Sequence, residues 1–566
     1  MQRFLNRGKL IKAKHSLLIL FFLPGIFISK AQSQIHCDYE IGSEIATVDK
    51  LTFQPGDTLC LMAGQRGPLY LKNIIGTNES PIVIINSGGK AIIDSDLTYG
   101  LKFVGCKNIV LSGNGDPNTP YGIFVREVTN GYGLGLESKS TNFEIDHLEI
   151  SNTKISGIIA KTDPDCTYTA VRDSFTMYNI KIHDNYIHNI GMEGMYIGSS
   201  FFLGYYISDC DTILLPHIID GVEIYNNRVE YTGWDGIQVG SALYNCAIHD
   251  NQIYKDSQSE ETYQMSGIII NTGSSCNVYN NKIIDGKGTG IFNQGTGNQK
   301  FYNNLIVNAG RDYDFYDQET KQQFGILSKF SYNLYSESSF YFYNNTIINP
   351  KSDGIRIMDS HAKTNRFINN LIINPGAFEY YEDLGSTSFQ PSDAYIHNYL
   401  DANNFYSINN ILERSSVEQF FSDTLLQDYH LTSQSPAVNW GYDLSNAGIT
   451  FDLDNNSRPF DDHFDIGAYE LQITPISSIS NDDNQLEIYP NPIVDLLQLN
   501  LHLQKAQTLN IKLINMEGKE VFFLNDISFF KGDNKKHLSI QDLSKGEYIL
   551  ILYNNSDHIT QKIQKI

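Results

Sequence analysis

The sequence has few charged residues, few tryptophans and few basic residues relative to acidic ones. Only 19% of its 566 residues are charged, and 41 Lys and Arg stand against 64 Asp and Glu, which gives a net charge of −23. Nucleic-acid binding needs a basic surface, so this balance argues against it. Hydrophobic residues make up 41%, which argues against extended disorder. Two Trp accompany 35 Tyr, 31 Phe and 44 Gly, a mixture that suits strands and tight turns.

A long apolar segment is also missing. Residues 17–28 form an apolar run after a basic N-terminus, and Ser29-Lys30-Ala31 ends it. About twelve apolar residues are too few to span a bilayer. The pattern predicts a secretory signal peptide over residues 1–31 and no transmembrane segment.

Cysteine is scarce, with seven residues and no Cys-x-x-Cys pair, so a zinc site is not expected. Export permits disulfides, and the odd number leaves at least one thiol unpaired.

One six-residue pattern occurs eight times, and Ile182-His-Asp-Asn-Tyr-Ile187 is its first copy. Its fourth residue is always Asn. Asn tolerates left-handed backbone angles, and stacked Asn amides can hydrogen-bond along a column. The pattern therefore predicts an Asn ladder at one turn of a β-solenoid. The predicted ladder residues are Asn185, Asn227, Asn251, Asn281, Asn304, Asn345, Asn370 and Asn410.

A second pattern, Gly followed by apolar residues, alternates with the first, as in Glu193-Gly-Met-Tyr196 and Asp235-Gly-Ile-Gln238. Four ladder Asn residues lie nine positions before such a Gly, and the shortest step from Gly to the next Asn is fourteen. A coil of 23 residues with strand composition favours a parallel β-helix, whose coils stack about 4.8 Å apart. We therefore predict an all-β fold in which residues 32–471 form a single-stranded parallel β-helix.

Insertions into the minimal coil predict a groove. Loops near residues 161–176 and 199–217 follow the Gly-apolar strand on adjacent coils, and other insertions precede that strand. Because walls at both edges would enclose it, the sheet of Gly-apolar strands is predicted to be the floor of a groove for an extended polymer. Cys166 and Cys210 fall in the two wall loops, so a disulfide between them is expected.

Cys246 and Cys276 each precede a ladder Asn by five residues. They therefore stack on adjacent coils, where they either form a bridge or pack as small apolar residues.

Two acidic residues stand directly before the Gly of neighbouring coils. Glu193 and Asp235 are expected about one strand spacing apart, so their repulsion should raise one pKa. A glycosidic acid and base need this arrangement. The alternatives are that they cap turns or hold a Ca²⁺ ion.

The first wall loop suggests a different chemistry. It carries Lys161 and Arg172 beside Glu193, and His183 follows on the next strand. Cations that neutralise a uronic acid carboxylate and a group that removes the neighbouring proton would serve β-elimination. A salt-bridged loop is an equal alternative, and His183 is as readily an outward ring on a strand.

Further residues are expected to contact a substrate: Tyr196, Gln238 and Asn271 along the floor, and His188, which stacks over Glu230 by register. The spacing Asp452-x-Asp-x-Asn456 is that of oxygen ligands in a calcium loop, but a simple turn fits it as well. No other cofactor and no metal ligand set is predicted.

The C-terminus predicts a separate β-sandwich over residues 485–566, after a polar linker at 472–484. Its motifs are Leu486-Glu-Ile-Tyr-Pro-Asn-Pro492, Ile514-Asn-Met-Glu-Gly-Lys-Glu-Val521 and Asp542-Leu-Ser-Lys-Gly-Glu-Tyr548. These segments resemble the type A sorting domain of the type IX secretion system of Bacteroidota. The resemblance implies contact with that machinery, passage across the outer membrane, and a secreted or cell-surface location.

Two flanking regions resemble known β-helix proteins. Residues 45–112 resemble the opening coils of secreted right-handed β-helix enzymes such as polysaccharide lyases, and residues 428–470 resemble the closing module of secreted Bacteroidota β-helix proteins. The resemblance implies a right-handed, pectin-lyase-like solenoid. Polygalacturonases also place catalytic Asp residues before such Gly residues, but their Asn-Thr-Asp, Asp-Asp, Gly-His-Gly and Arg-Ile-Lys motifs are absent, so we reject that family.

We therefore expect a secreted carbohydrate-active enzyme that cleaves an extended polysaccharide with Glu193 and Asp235 as acid and base, as glycoside hydrolases do. A second hypothesis is a polysaccharide lyase that uses Lys161, Arg172 or His183. A third is a non-catalytic surface adhesin or glycan-binding solenoid.

Overall fold

The computed structural model describes residues 36–49, 53–313, 323–329, 338–358, 362–379, 391–398, 405–460 and 463–472, and most of residues 486–565. The predicted signal peptide and the predicted linker after residue 472 lie outside the described residues. No helix within the described ranges is long and apolar enough to cross a membrane.

The N-terminal part is a parallel β-helix in which each coil contributes strands to three sheets. The first, here named the Gly-Ile sheet, has twelve parallel strands and contains the predicted Gly-apolar pattern. Its strands are Thr47–Asp49, Leu69–Lys72, Tyr99–Val104, Tyr132–Glu137, Ile158–Ala160, Met195–Ile197, Ile237–Val239, Ser266–Ile270, Thr289–Asn293, Ile326–Ser328, Ile355–Ile357 and Ile396–Asn398.

The strand that leads into the Asn turn belongs to the pre-ladder sheet. Its strands are Tyr39–Ile41, Thr58–Arg66, Ile82–Ser95, Lys107–Ser112, Thr141–Asp146, Thr176–His183, Ile218–Tyr225, Ala242–His249, Cys276–Tyr279, Asn298–Tyr302, Ser339–Tyr343, Thr364–Ile368 and Phe405–Ile408.

The strand that leaves the turn belongs to the post-ladder sheet. Its strands are Ile123–Val128, Leu148–Thr153, Tyr186–Ile190, Arg228–Thr232, Gln252–Tyr254, Lys282–Ile284, Leu305–Val307, Thr346–Ile348, Leu371–Ile373 and Ile411–Glu413, together with the second halves of Thr58–Arg66 and Ile82–Ser95.

Apolar side chains fill the interior of the solenoid in columns. Period-two alternation in each short strand sends every second residue inward, as predicted for the Gly-apolar strands. Ile158, Met195 and Ile237 are fully buried and lie opposite one another on successive coils. Phe342 and Phe367 stack in the same way, with ring centroids 5.1 Å apart.

The predicted Asn ladder is present. From Asn185 to Asn410, each side-chain amide donates to the Oδ1 atom of the next ladder Asn at 2.9–3.0 Å. The same Oδ1 accepts the backbone N–H of the previous ladder Asn, as at Asn281. The left-handed angle falls on the residue before the ladder Asn, for example φ 54° at Asp184 and 53° at Asn226. The ladder Asn therefore contributes through the hydrogen bonds of its side chain and not through a left-handed backbone angle.

Three disulfides cross-link neighbouring parts of the solenoid. They are Cys37–Cys60, the predicted Cys166–Cys210 and Cys246–Cys276. Cys106 is the unpaired thiol that the odd count requires, and it is buried. Burial raises the pKa of this thiol to about 11, so it remains protonated and unreactive in the folded protein.

The closing module, residues 417–472, packs on the post-ladder sheet and contains the hairpin Phe421–Asp423 and Asp428–Leu431. Asp452 is buried and accepts hydrogen bonds from the backbone N–H groups of Asp454, Asn456 and Glu470. Asp454 binds His430 instead. Both oxygens of Asp452 therefore accept backbone N–H groups, as the turn interpretation of Asp452-x-Asp-x-Asn456 expects.

Short 3₁₀ helices in the described ranges cover Ser208–Cys210, Pro391–Ala394, Val417–Gln419, Thr424–Leu426 and Ser445–Ala447.

The C-terminal domain is the expected small β-sandwich. One antiparallel sheet contains Leu486–Tyr489, Leu496–Leu503 and Gly532–Ser539. The other contains Glu520–Phe529, Gln507–Asn515, Gly546–Tyr553 and His558–Lys565. Apolar residues of both sheets, such as Leu499 and Leu550, form one buried cluster.

Replacement of a ladder Asn in mid-solenoid should destabilise the protein more than replacement at its end. Asn281→Ala leaves buried carbonyl and N–H groups unpaired, at about 1–3 kcal/mol for each such group. Asn410 is partly exposed, so water replaces its partners in Asn410→Ala. Thermal unfolding followed by circular dichroism should show the larger fall for Asn281→Ala, and equal falls would contradict the ladder's structural role.

Alkylation should detect one free thiol in the protein, that of Cys106. Iodoacetamide is expected to leave the native protein unmodified and to label Cys106 alone after denaturation without reductant. Mass spectrometry checks this, and labelling of any other cysteine without reductant would contradict the three disulfides.

Candidate active site

The candidate site lies on the outer face of the Gly-Ile sheet, beside the two predicted wall loops. The Cys166–Cys210 disulfide joins these loops, and the antiparallel strands Tyr205–Ile207 and Thr212–Leu214 stiffen the second. Buried His217 accepts the Thr162 N–H through Nε2 at 3.1 Å. Burial lowers the pKa of His217, so the neutral ring holds the first wall to the second.

Lys161 and Tyr196 meet where the floor joins the first wall. The Lys161 Nζ atom lies 4.9 Å from the centre of the Tyr196 ring and 3.0 Å from Asp163 Oδ1. Burial lowers the pKa of Lys161, but the charges of Tyr196, Asp163 and Glu193 outweigh it and raise the pKa overall. Lys161 is therefore a cation at neutral pH.

Three predicted floor residues converge on one hydroxyl group that the sequence did not indicate. Tyr196 Oη lies 3.0 Å from Ser200 Oγ, and the side-chain amides of Gln238 and Asn271 donate to the same oxygen at 2.5 and 3.3 Å. Ser200 belongs to a wall loop that folds back over the floor. Gln238 and Asn271 are consequently only 3% and 6% exposed.

Glu193 and Asp235 lie at the buried corner between the post-ladder and Gly-Ile sheets. They are 3% and 0% exposed, and Ser156 donates to Glu193 Oε2 at 2.7 Å. Asp256 of the next coil is also buried. Burial, and then the charges of Glu193 and Asp256, raise the pKa of Asp235 well above its ordinary value. The two predicted residues are thus neighbours, as expected, but a substrate on the floor does not contact either carboxyl group directly.

Asp256 completes this cluster of acids, and the sequence pattern missed it. It precedes the Gly-Ile sheet inside an insertion rather than directly before Gly. Burial raises its pKa to about 6, although Ser257 donates to it at 2.7 Å.

Arg172 is part of the wall rather than of the floor. Its guanidinium group donates to the Phe202 carbonyl oxygen and lies 3.9 Å from the centre of the Phe202 ring. That ring covers Gly273, where a Cβ atom would clash with it. Arg172 thereby fixes the second wall over the floor, which differs from its predicted contact with substrate acid groups.

Gly198 and Gly240 allow neighbouring coils to approach closely, because a Cβ atom on Gly198 would lie 1.9 Å from the Gly240 carbonyl oxygen.

His183 lies on the pre-ladder sheet, on a different face of the solenoid. Its Nε2 atom is 3.0 Å from Glu144 and its Nδ1 atom 2.7 Å from Asp184, and its ring stacks on Tyr225. His183 therefore does not share a face with Lys161 and Tyr196, although the sequence grouped it with Lys161. The outward-ring interpretation describes His183.

Glu144, Asp146 and His183 are the one group of three possible metal ligands in the described part of the chain. Protein partners already engage them, since Ser112 donates to Asp146 at 2.6 Å.

His188 and Glu230 lie on the post-ladder sheet and are paired by register, as predicted. Glu230 accepts from Tyr186 and binds Arg228, and the His188 ring stacks on Tyr186 at 4.2 Å. This face is also separate from the floor, so His188 and Glu230 do not lie beside Tyr196 and Gln238.

A second charged cluster lies farther along the floor. Arg356 Nε is 2.5 Å from buried Asp353 Oδ2, and His397 of the next strand lies beside both. Burial raises the pKa of Asp353 to about 7, against the opposing effect of Arg356. Six strand spacings separate Lys161 from Arg356, or about 29 Å, which suits an extended ligand.

Comparison with family models supports the fold of both parts of the chain. Residues 132–306 and 220–412 match the model of a right handed beta helix region, and residues 487–565 match that of a secretion system C-terminal sorting domain. No curated protein matches the chain.

Solved structures give distant likenesses. Alginate lyase from Paenibacillus sp. str. FPU-7 is 16% identical, with a TM-score of 0.36 over 66% of this chain and 99% of the lyase. Pectate lyase Pel9A is 12% identical, with a TM-score of 0.34 over 77% of this chain and 97% of the lyase. The A-module of mannuronan C-5 epimerase AlgE4 from Azotobacter vinelandii is 12% identical, with a TM-score of 0.30 over 64% and 90%. At these values the likenesses say nothing about activity.

The raised pKa of Asp256 predicts a pH-dependent stability. A carboxyl group with a folded-state pKa of about 6, against an ordinary 3.8, stabilises the fold below pH 4, and this contribution is lost as the pH rises through 6. The loss is on the order of 3 kcal/mol. Asp256→Asn removes it, so the melting temperature of the variant minus that of the native protein should rise between pH 4 and 7.

Exposed Asp209 gives the matched control, Asp209→Asn. If the melting-temperature difference between Asp256→Asn and the native protein changes with pH no more than that of the control, Asp256 ionises normally and the prediction is wrong.

Proposed function

We propose that this protein, a right-handed parallel β-helix with a C-terminal secretion sorting domain, is an exported enzyme that cleaves an acidic polysaccharide by β-elimination. The sorting domain directs export through type IX secretion to the cell surface or the extracellular space. The contact between Lys161 and Tyr196 at the edge of an extended floor is the observation that carries the proposal.

Lys161 supplies the positive charge that elimination from a uronic acid needs. The substrate carboxylate withdraws electrons from C5 only when its own charge is neutralised, and a buried ammonium group does this more strongly than one in water. Lys161 stays protonated because its neighbouring negative charges raise its pKa.

Tyr196 is the nearest group for proton transfer. In this role Tyr196 acts as the base through its phenolate form. The phenolate takes the C5 proton, the electron pair forms the C4–C5 double bond, and the C4–O4 bond breaks. The leaving oxygen takes a proton, which the Tyr196 phenol can return.

The polar contacts around Ser200 fix the Tyr196 ring. Ser200 links Tyr196 to the amides of Gln238 and Asn271 on the next two coils. Each of these side chains is held by the others, so the phenol is preorganised at the floor.

Hydrolysis by Glu193 and Asp235 is a second candidate. Their placement on adjacent coils and the raised pKa of Asp235 favour it. It requires the substrate to reach side chains that are 3% and 0% exposed, which is why β-elimination is our first choice.

Purified protein incubated with polyuronates and neutral glycans tests the proposal. We expect the ultraviolet absorbance to rise when the protein is incubated with an acidic polymer, because β-elimination forms an unsaturated uronate. Lys161→Met and Tyr196→Phe should each lower kcat about 10²-fold or more, because each removes a group that acts in the transition state.

Matched controls lie on the pre-ladder sheet. Lys181 pairs with Glu223 at 3.5 Å, and Tyr178 is exposed, so Lys181→Met and Tyr178→Phe should keep full activity. New reducing ends without absorbance would favour hydrolysis by Glu193 and Asp235. Products of neither kind across the panel would favour a non-catalytic glycan-binding solenoid.

A further inference from the structure

A cavity of about 690 Å³ lies between the pre-ladder sheet and the segment 442–447 of the closing module. It is on a different face from the candidate active site, because its floor strands are Asn298–Tyr302, Ser339–Tyr343, Thr364–Ile368 and Phe405–Ile408. Outward side chains of consecutive coils line it, so it is an elongated surface groove with one wall.

Tyrosine rings dominate this cavity. Tyr341 and Tyr343 lie on the strand Ser339–Tyr343, Tyr406 lies two coils farther on, and Tyr442 comes from the wall. Tyr343 is buried at the base of the cavity, at 3% exposure. Tyr406 and Tyr442 are each 50% exposed. Exposed amphipathic rings in a concave site offer an apolar face and a polar edge, which suits the alternating C–H and O–H groups of a sugar.

Two cations accompany the rings. The Arg366 guanidinium group lies 5.9 Å from the Tyr341 ring centre and 5.6 Å from that of Tyr406. The Lys300 ammonium group donates to the Ala447 carbonyl oxygen at 2.6 Å. Within the described ranges, neither cation forms an ion pair with a carboxylate, whereas Lys90, Arg126 and many others do.

The acidic group that lines the cavity, Asp443, offsets only one of these two positive charges. Asp443 accepts the Ser445 N–H at 2.8 Å, and that backbone hydrogen bond lowers its pKa. Two cations and one turn-bound carboxylate leave the cavity net positive in a chain whose net charge is −23.

We propose that this cavity is a second, non-catalytic binding site for a carboxylate-bearing saccharide. Arg366 offers its planar donors to the sugar carboxylate, Lys300 adds positive charge, and the tyrosine rings stack on the sugar faces. The site would hold one part of an acidic polymer while another part occupies the groove on the Gly-Ile sheet. It goes beyond the proposed cleavage reaction, because binding here does not require that the protein cleave anything.

Calorimetric titration with trigalacturonate tests the site. The full chain carrying Lys161→Met serves as the background, so that the probe is not consumed in the other groove. We expect saturable binding in this background. Adding Arg366→Ala should weaken it about tenfold or more, the usual cost of losing a charge-assisted hydrogen bond, and adding Lys300→Met should weaken it as well.

The matched control is Arg126→Ala, since Arg126 is an exposed arginine paired with Asp94 on an N-terminal coil. It should leave the affinity unchanged, and circular dichroism should show the same fold for all variants. Absence of saturable binding, equal affinities in the Arg366→Ala and Arg126→Ala chains, or equal binding of neutral maltotriose would each overturn the proposal. None of these results depends on whether the protein is a lyase.

Discussion

The Asn ladder is the interaction on which the placement of every other group depends. Its buried amides bond to one another and to backbone groups at a single turn, so each coil passes through the same point in the same orientation. A coil can then lengthen only away from that turn. The insertions 161–176 and 199–217 accordingly follow the Gly-Ile strands of two adjacent coils and are joined by the Cys166–Cys210 disulfide, while the strands beneath them keep their register. The constraint that makes the solenoid regular therefore also places these two loops beside each other.

Regular features could be predicted because they repeat. The ladder Asn residues, the inward Ile column and the Cys166–Cys210 disulfide all follow from counting positions along coils of known length. Counting also placed Tyr196, Gln238 and Asn271 on one floor. Counting could not place His183 relative to that floor. The sequence spacing between His183 and the Gly-apolar strand does not reveal on which face of the solenoid each of them lies.

The features that could not be predicted from the sequence depend on the conformation of loops and on how deeply each side chain is buried. Ser200 lies in an insertion with no repeat, so nothing in the spacing indicated that its hydroxyl group would bind three floor residues. Glu193 and Asp235 are neighbours, as expected. Their burial could not be predicted, because the repeat period gives the position of a residue around the coil and not the exposure of its side chain to solvent. The position of Arg172 could not be predicted either, because its guanidinium group stacks on the Phe202 ring, which belongs to the other wall loop.

The buried acids share one corner of the solenoid with small polar residues that stand before the Gly of neighbouring coils. Ser156, Ser266 and Thr289 occupy the same column as Glu193 and Asp235, so the corner accepts hydrogen-bonding side chains. Three neighbouring carboxyl groups that are all charged there would cost far more than the fold can offset. The raised pKa values of Asp235 and Asp256 show how the cost is avoided, since protonated carboxyl groups are compatible with burial. Behind the floor, Glu193 remains near enough to Lys161 to favour its charged form. The buried corner thus acts on the floor through electrostatics, because the charge of Glu193 adds to those of Tyr196 and Asp163 in raising the pKa of Lys161.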